Sequence, residues 1–111
     1  MHSIASARPD AHEKTLDLRI ARLRTAVEHA TAIHRSGEDS AGQASRTLVI
    51  LMENKALVAA HAQGLISTIT REVAAADQDD MLLVRVRPLT LLVEEANIAI
   101  ARLQVILGDT A

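Results

Sequence analysis

Aliphatic residues recur every three or four positions in three separate stretches of the chain, a spacing that places them on one face of an α-helix. In the first stretch, which ends at about Arg35, this row is Leu16, Ile20, Leu23, Val27, Ala30 and His34. In the second, residues 44–76, it is Leu48, Leu51, Lys55, Val58, Ala62, Leu65 and Ile69. In the third, residues 80–107, it is Leu89, Leu92, Ala96, Ala99, Leu103 and Ile106. The pattern predicts three long helices that each bury one face.

Clusters of turn-forming residues separate these stretches. The sequence SGEDSAGQAS at residues 36–45 predicts a loop, in which Gly37 terminates the first helix. The sequence DQDD at residues 77–80 predicts a turn before the third helix, and Gly108 predicts the end of that helix.

Residues 1–11 show no helical periodicity and include Pro9, so they are predicted to form a flexible N-terminal lead. Asp10 is the predicted N-cap of the first helix, and Glu13 completes a capping pair with it. Residues 12–111 are then a single helical bundle domain, because a chain of this length can bury only one core.

The segment MLLVRVR at residues 81–87 fits two interpretations. Its alternation of apolar and charged residues is typical of a strand, but a single strand would have no partner among helices. We therefore predict helix here, with a kink or break near Pro88, whose ring removes a hydrogen-bond donor. The predicted fold is an all-α antiparallel bundle of three long helices, or of four if the chain breaks near Pro88 or Gly64.

Composition argues against several kinds of partner. The chain contains no aromatic residue, so it lacks the rings on which single-stranded nucleic acids stack. Its net charge of -2, with Arg and Lys spread over all segments, provides no basic stripe for phosphates. The sequence also has neither an apolar run long enough to span a bilayer nor the apolar centre of a signal peptide. We expect a cytoplasmic protein that binds no nucleic acid and does not insert into membranes.

The residue spacings predict no metal, no cofactor and no enzyme. The five His include no His-Glu-x-x-His and no Glu-x-x-His pattern. His29 and His34 project about 140° apart on a helix, which makes them poor joint ligands. No glycine-rich phosphate loop or nucleophile turn occurs, and the adjacent Glu94 and Glu95 point about 100° apart.

One histidine has a more specific interpretation. The sequence HAQGL, beginning at His61, resembles the signature of histidine phosphotransfer domains, four-helix bundles in which a lysine and a small glycine follow an exposed histidine. Here the lysine is absent and Gly64 comes one residue early. The resemblance would make His61 a phosphoacceptor; the alternative is a surface or interhelical histidine without chemistry. Gly64 itself is interpreted as a close helix–helix contact or a weak point in the helix.

A second apolar row runs along the last predicted helix. Leu91, Ile98 and Val105 repeat every seven residues and lie about 200° from the leading position of the row that faces the core. They cannot face the same small core, so they predict a surface that contacts another chain. The alternatives are that a neighbouring helix of the same chain covers them or that they are isolated exposed aliphatics.

The segment RTLVILMENKALVAAHAQGLISTITREV resembles the central part of flagellar export chaperones that hold hook-associated proteins. The positions that carry this resemblance are Leu48, Leu51, Glu53, Asn54, Leu57, Leu65, Ile69 and Glu72. The final helix of that family is matched at Asn97, Leu103 and Ile106. The resemblance covers residues 46–107 and implies a cytoplasmic helical chaperone, without a catalytic site, whose last helix holds an amphipathic helix of its client.

Together these features predict a helical protein-binding module. It either holds a client helix, as an export chaperone does, or self-associates through its last helix into a homo-oligomer. A structural or artificial bundle without a ligand is the first alternative, and a histidine phosphotransfer protein is the second.

Overall fold

The computed structural model describes residues 2–37 and 42–110, with side chains over residues 15–37 and 42–108. Its elements are α1 (His2–Ser36), α2 (Gln43–Glu72), α3 (Ala75–Met81), a π-helical segment (Leu82–Val86) and α4 (Arg87–Thr110). The last three follow one another without interruption, so the described chain forms three long helical rods and contains no strand. The predicted all-α bundle is confirmed.

The three rods pack side by side, with α1 against α2 and α4, and α2 against α4. Ser36 and Gln43 line one groove between α1 and α2, whereas Thr15 and Leu65 line another, so these helices are antiparallel. The 35 residues of α1 correspond to a length of about 52 Å at 1.5 Å per residue. The molecule measures 52 × 37 × 18 Å, so its long dimension is that of one helix.

The first helix begins earlier than predicted. It starts at His2, so the predicted start at Asp10 is wrong, and the lead predicted over residues 1–11 is helical from His2 onwards. Alanines, the best helix formers, occupy three positions in this segment and favour the helix. The flexibility of this segment stays a prediction, and the capping pair of Asp10 and Glu13 lies outside the described side chains.

The buried face of α1 differs from the predicted row at its C-terminal end. Its buried apolar residues are Leu23, Ala26, Ala30 and Ile33. Val27 is only half-buried and His34 is exposed, because the core-facing direction at this end runs through Ala26 and Ile33. Gly37 has a φ of 69° and donates its N–H to the carbonyl of Ile33 at 2.9 Å, which confirms the predicted helix end.

The turn after α2 lies at residues 73–74, so the turn predicted over residues 77–80 is wrong. Those residues belong to α3. Asp77 lies in its first turn, where a negatively charged carboxylate interacts favourably with the positive end of the helix dipole. Gln78 donates from Nε2 to the carbonyl of Val73 at 2.9 Å and to that of Thr70 at 3.2 Å. A side chain from α3 thus satisfies carbonyls at the end of α2.

Residues 81–87, for which the sequence fits helix or strand, are helical and not extended, and Leu82–Val86 form a π-helical segment. At its end, Arg87 donates its N–H to the carbonyl of Leu82, the five-residue spacing of a π-helix. Pro88 follows directly and has no N–H to donate. The predicted break near Pro88 therefore takes the form of a π-helical turn, while the rod continues.

Both remaining glycine predictions need correction. The helix α2 runs through Gly64 without a break, and no described atom lies within 4 Å of a Cβ built there, so the close-contact interpretation is wrong. The last helix also continues past Gly108 to Thr110. Neither glycine has the positive φ that would end a helix.

Candidate protein-binding surface

The inner face of α4 completes the core of the bundle. Its buried residues are Leu89, Leu92, Ala96, Ala99 and Leu103, while Ile106 is half-buried. This arrangement confirms the predicted inner row. Val93 and Ile100 are half-buried beside it and widen the apolar face, as a core-facing helix requires.

The opposite face of α4 carries the second apolar row predicted from the sequence. Leu91 is 41% exposed, Ile98 54% and Val105 63%. No described helix covers these three residues, hereafter the outer row, so the alternative that a neighbouring helix of the same chain buries them is wrong. Since α4 is regular here, the row is a straight stripe of about 21 Å from Leu91 to Val105.

Two further large apolar residues are exposed just before α4 begins. Leu83 and Val84, in the π-helical segment, are both more exposed than Leu91. Val84 lies seven residues before Leu91, but the π-helical turn between them changes the register, so the seven-residue repeat does not place Val84 on the face of the outer row.

Charged side chains flank the outer row in a definite order. Glu94, Glu95 and Arg102 are all exposed on α4. On a helical wheel Glu95 and Arg102 lie on the same side of Ile98, at about 60° and 40°, and Glu94 lies about 40° to the other side. An acidic group thus precedes the centre of the row and a basic group follows it.

His61, the candidate phosphoacceptor, is exposed on α2. It lines a groove of about 800 Å³ where α1, α2 and the start of the last rod meet. The other residues of this groove are Thr15, Leu16, Arg19, Leu57, Leu65, Arg85 and Leu89. Its exposure would allow phosphorylation, and its surroundings are those of an interhelical groove.

The core contains two buried polar residues that the helical pattern does not predict, Thr47 and Asn54. Asn54 is 3% exposed and occupies the inner row of α2, whereas the predicted row member Lys55 is half-buried beside it. Its Nδ2 donates to the carbonyl of Ile50 at 2.8 Å, and its Oδ1 has no hydrogen-bond partner in the described structure. The residue borders a groove of about 440 Å³ between α1 and α2.

Two further features bear on function. Within the described residues, no cluster of three His, Cys, Asp or Glu side chains is placed to hold a metal ion. The described helices also include none with both the length and the apolar character needed to cross a membrane.

Comparison with known proteins finds no matching family model, curated protein or solved structure.

Proposed function

We propose that this protein is a helical protein-binding module and that the outer row of α4 packs against a helix of another polypeptide. The observation that carries the proposal is the exposure of Leu91, Ile98 and Val105 along one straight stripe. Helices pack through such stripes at interaxial distances of about 8–10 Å. A partner helix with its own apolar face would cover all three side chains at once.

The energy available from this contact is modest, because apolar burial must offset the roughly 4–15 kcal/mol that association itself costs. Full burial of an aliphatic side chain stabilises by about 1.5–3 kcal/mol, and roughly half of each side chain is still exposed. Covering the row is therefore worth about 1 kcal/mol per residue on this helix, and the partner's side chains contribute a similar amount. Such a surface suits a reversible contact.

The resemblance to flagellar export chaperones stays a prediction, as does the cytoplasmic location it implies. A chaperone of that kind would use the same row of α4 to hold a client helix. Phosphotransfer through His61 also stays a prediction. It is the weaker candidate because the lysine of the phosphotransfer signature is absent.

The proposal is tested by Ile98→Glu, with Gln104→Glu as the matched control. Both variants add one negative charge to an exposed position of α4, but residue 104 projects about 120° away from Ile98. Full-length wild type and variants would be compared by circular dichroism, by light scattering, and as bait in co-purification from the native host. Protein concentration must come from refractive index, because the chain has no Trp or Tyr.

We expect Ile98→Glu to keep its helix content and to lose association, whether with a second copy or with a captured partner, because the contact would have to desolvate a carboxylate. Gln104→Glu should behave as wild type. Unfolding of Ile98→Glu would show that Ile98 belongs to the core, and unchanged association would show that the row contacts nothing. Either outcome overturns the proposal.

A further inference from the structure

Building on the proposed function, we infer that the partner of α4 is a second copy of this chain, packed antiparallel about a two-fold axis through Ile98. The two copies would present the same surface to each other, as a two-fold interface requires. Such a surface must be complementary to itself. The sequence and placement of residues along α4 meet this requirement.

The apolar residues of the outer row match in this arrangement. A two-fold axis through Ile98 places each Ile98 against its copy, and the seven-residue spacing then places Leu91 of one chain against Val105 of the other. Both ends of the stripe are covered symmetrically. All three residues are exposed in the single chain, so each has area to bury.

The charged residues beside the outer row are also complementary, and the opposite charges meet between the two chains, not within one helix. In an antiparallel two-fold contact, residues on one side of the row face residues on the same side of the row in the other chain. Glu95 of one chain therefore meets Arg102 of the other, and the symmetry creates this pair twice. Within α4, neither residue has an opposite charge three or four positions away, the spacing at which side chains of one helix meet. These two charges are therefore placed for a partner in another chain.

Glu94 falls opposite Ala101 in the same arrangement, so it meets a small neutral side chain. The interface thus brings no like charges together among Glu94, Glu95 and Arg102, the charged residues nearest its centre.

Other ways of packing two copies bring like charges together. A parallel two-fold pair places Glu94 of one chain against Glu95 of the other. An antiparallel pair shifted by one seven-residue repeat, with Leu91 opposite Ile98, places Glu95 against Glu95 and Glu94 against Glu94. Like charges at such positions weaken association, so the register centred on Ile98 is the one that the charge pattern favours.

The absence of cysteine from the chain allows a direct test by disulfide formation. Three single variants of the full chain, Ile98→Cys, Leu91→Cys and Val105→Cys, would be oxidised separately and in pairs, with one variant carrying a size tag. In the inferred dimer, Ile98→Cys links to itself. Leu91→Cys does not, because two copies of residue 91 lie about 21 Å apart. A mixture of Leu91→Cys and Val105→Cys links through the mixed pair.

Self-linking of Leu91→Cys would indicate a parallel pair and overturn the inference. Failure of Ile98→Cys to link, with wild type at monomer mass in light scattering, would overturn it as well. The proposed function would still stand in that case if Ile98→Glu, but not Gln104→Glu, loses a partner captured from the native host. The two failures are thus distinguishable.

Charge reversal tests the pairing of Glu95 with Arg102. Arg102→Glu replaces two attractive pairs with two repulsive ones, so we expect the dimer dissociation constant to rise about 10- to 30-fold at low salt. The double variant Glu95→Arg/Arg102→Glu should restore it to within a few-fold of wild type. Equal weakening by the single and the double variant would contradict the register.

Discussion

The buried amide of Asn54 provides the sharpest test of how this core is held together. We consider Asn54→Leu, which replaces the amide with an aliphatic side chain of somewhat larger volume. The position is 3% exposed, so the leucine would be almost fully buried, a change worth about 1.5–3 kcal/mol. Removing the unpartnered Oδ1 also relieves a desolvation cost of about 1–3 kcal/mol.

Two opposing costs reduce this gain. The bond from Nδ2 to the carbonyl of Ile50 is lost, which costs about 0.5–1.5 kcal/mol. Fitting extra volume into a packed core costs about 1–3 kcal/mol, and the groove of about 440 Å³ beside Asn54 keeps this near the lower end. We expect Asn54→Leu to raise the free energy of unfolding by about 1–2 kcal/mol.

The measurement is urea unfolding followed by far-UV circular dichroism, since a chain without aromatic residues has no intrinsic fluorescence. Asn97→Leu is the matched control, because it makes the same chemical change at an exposed position of α4. It should gain only the helix propensity difference, a few tenths of a kcal/mol. Destabilisation by Asn54→Leu with a neutral Asn97→Leu would refute the reasoning and show that Oδ1 has a partner in solution.

Two other substitutions probe the fold. Gly64→Ala should stabilise the protein by about 0.5–1 kcal/mol in the same assay, since the glycine is helical and a Cβ there meets no described atom within 4 Å. A loss of stability would show that the position is crowded. Leu103→Ala should destabilise by about 2–5 kcal/mol, because Leu103 is fully buried on the inner face of α4, and a loss below 1 kcal/mol would contradict its core position.

The fold could be predicted from the sequence because each rod carries a strong helical period. The inner row of α4 was predicted in full, as were Leu23 and Ala30 on α1 and Leu51 on α2. Periodicity alone fixes a face only to within about one residue, since positions one apart differ by 100°. At the C-terminal end of α1, the pattern therefore predicts His34 in the core, whereas the structure buries Ile33 and exposes His34.

The ends of the elements were harder to predict because they depend on contacts distant in sequence. The turn at residues 73–74 is closed by Gln78, whose side chain reaches back to the carbonyls of Val73 and Thr70. A glutamine has no particular preference for turns, so no local signal marks this role. The Asp residues at 77–80 fit either a turn or a helix N-terminus, because Asp is favoured in both. The local sequence therefore does not show that the turn ends before them.

The outer row of α4 could be located from sequence, but its exposure required the structure. Seven-residue spacing showed that Leu91, Ile98 and Val105 share a face, and a fourth helix of the same chain could have covered it. The bundle has only three rods in its described part, and α4 turns that face away from the other two. The interface between copies remains an inference from charge order.

The distribution of side-chain size on α4 supports the proposal that a partner helix covers the outer row. Halfway along the helix, the core-facing positions are Ala96 and Ala99, and the bulkier Ile98 lies exposed between them. Burial of apolar area within one chain would favour the reverse, with isoleucine inside and alanine outside, because each buried methylene contributes about 0.8 kcal/mol. Alanines allow the three rods to approach closely, which leaves no room for larger residues inside. The larger aliphatic side chains on the outside therefore gain their burial only when a second helix packs against them.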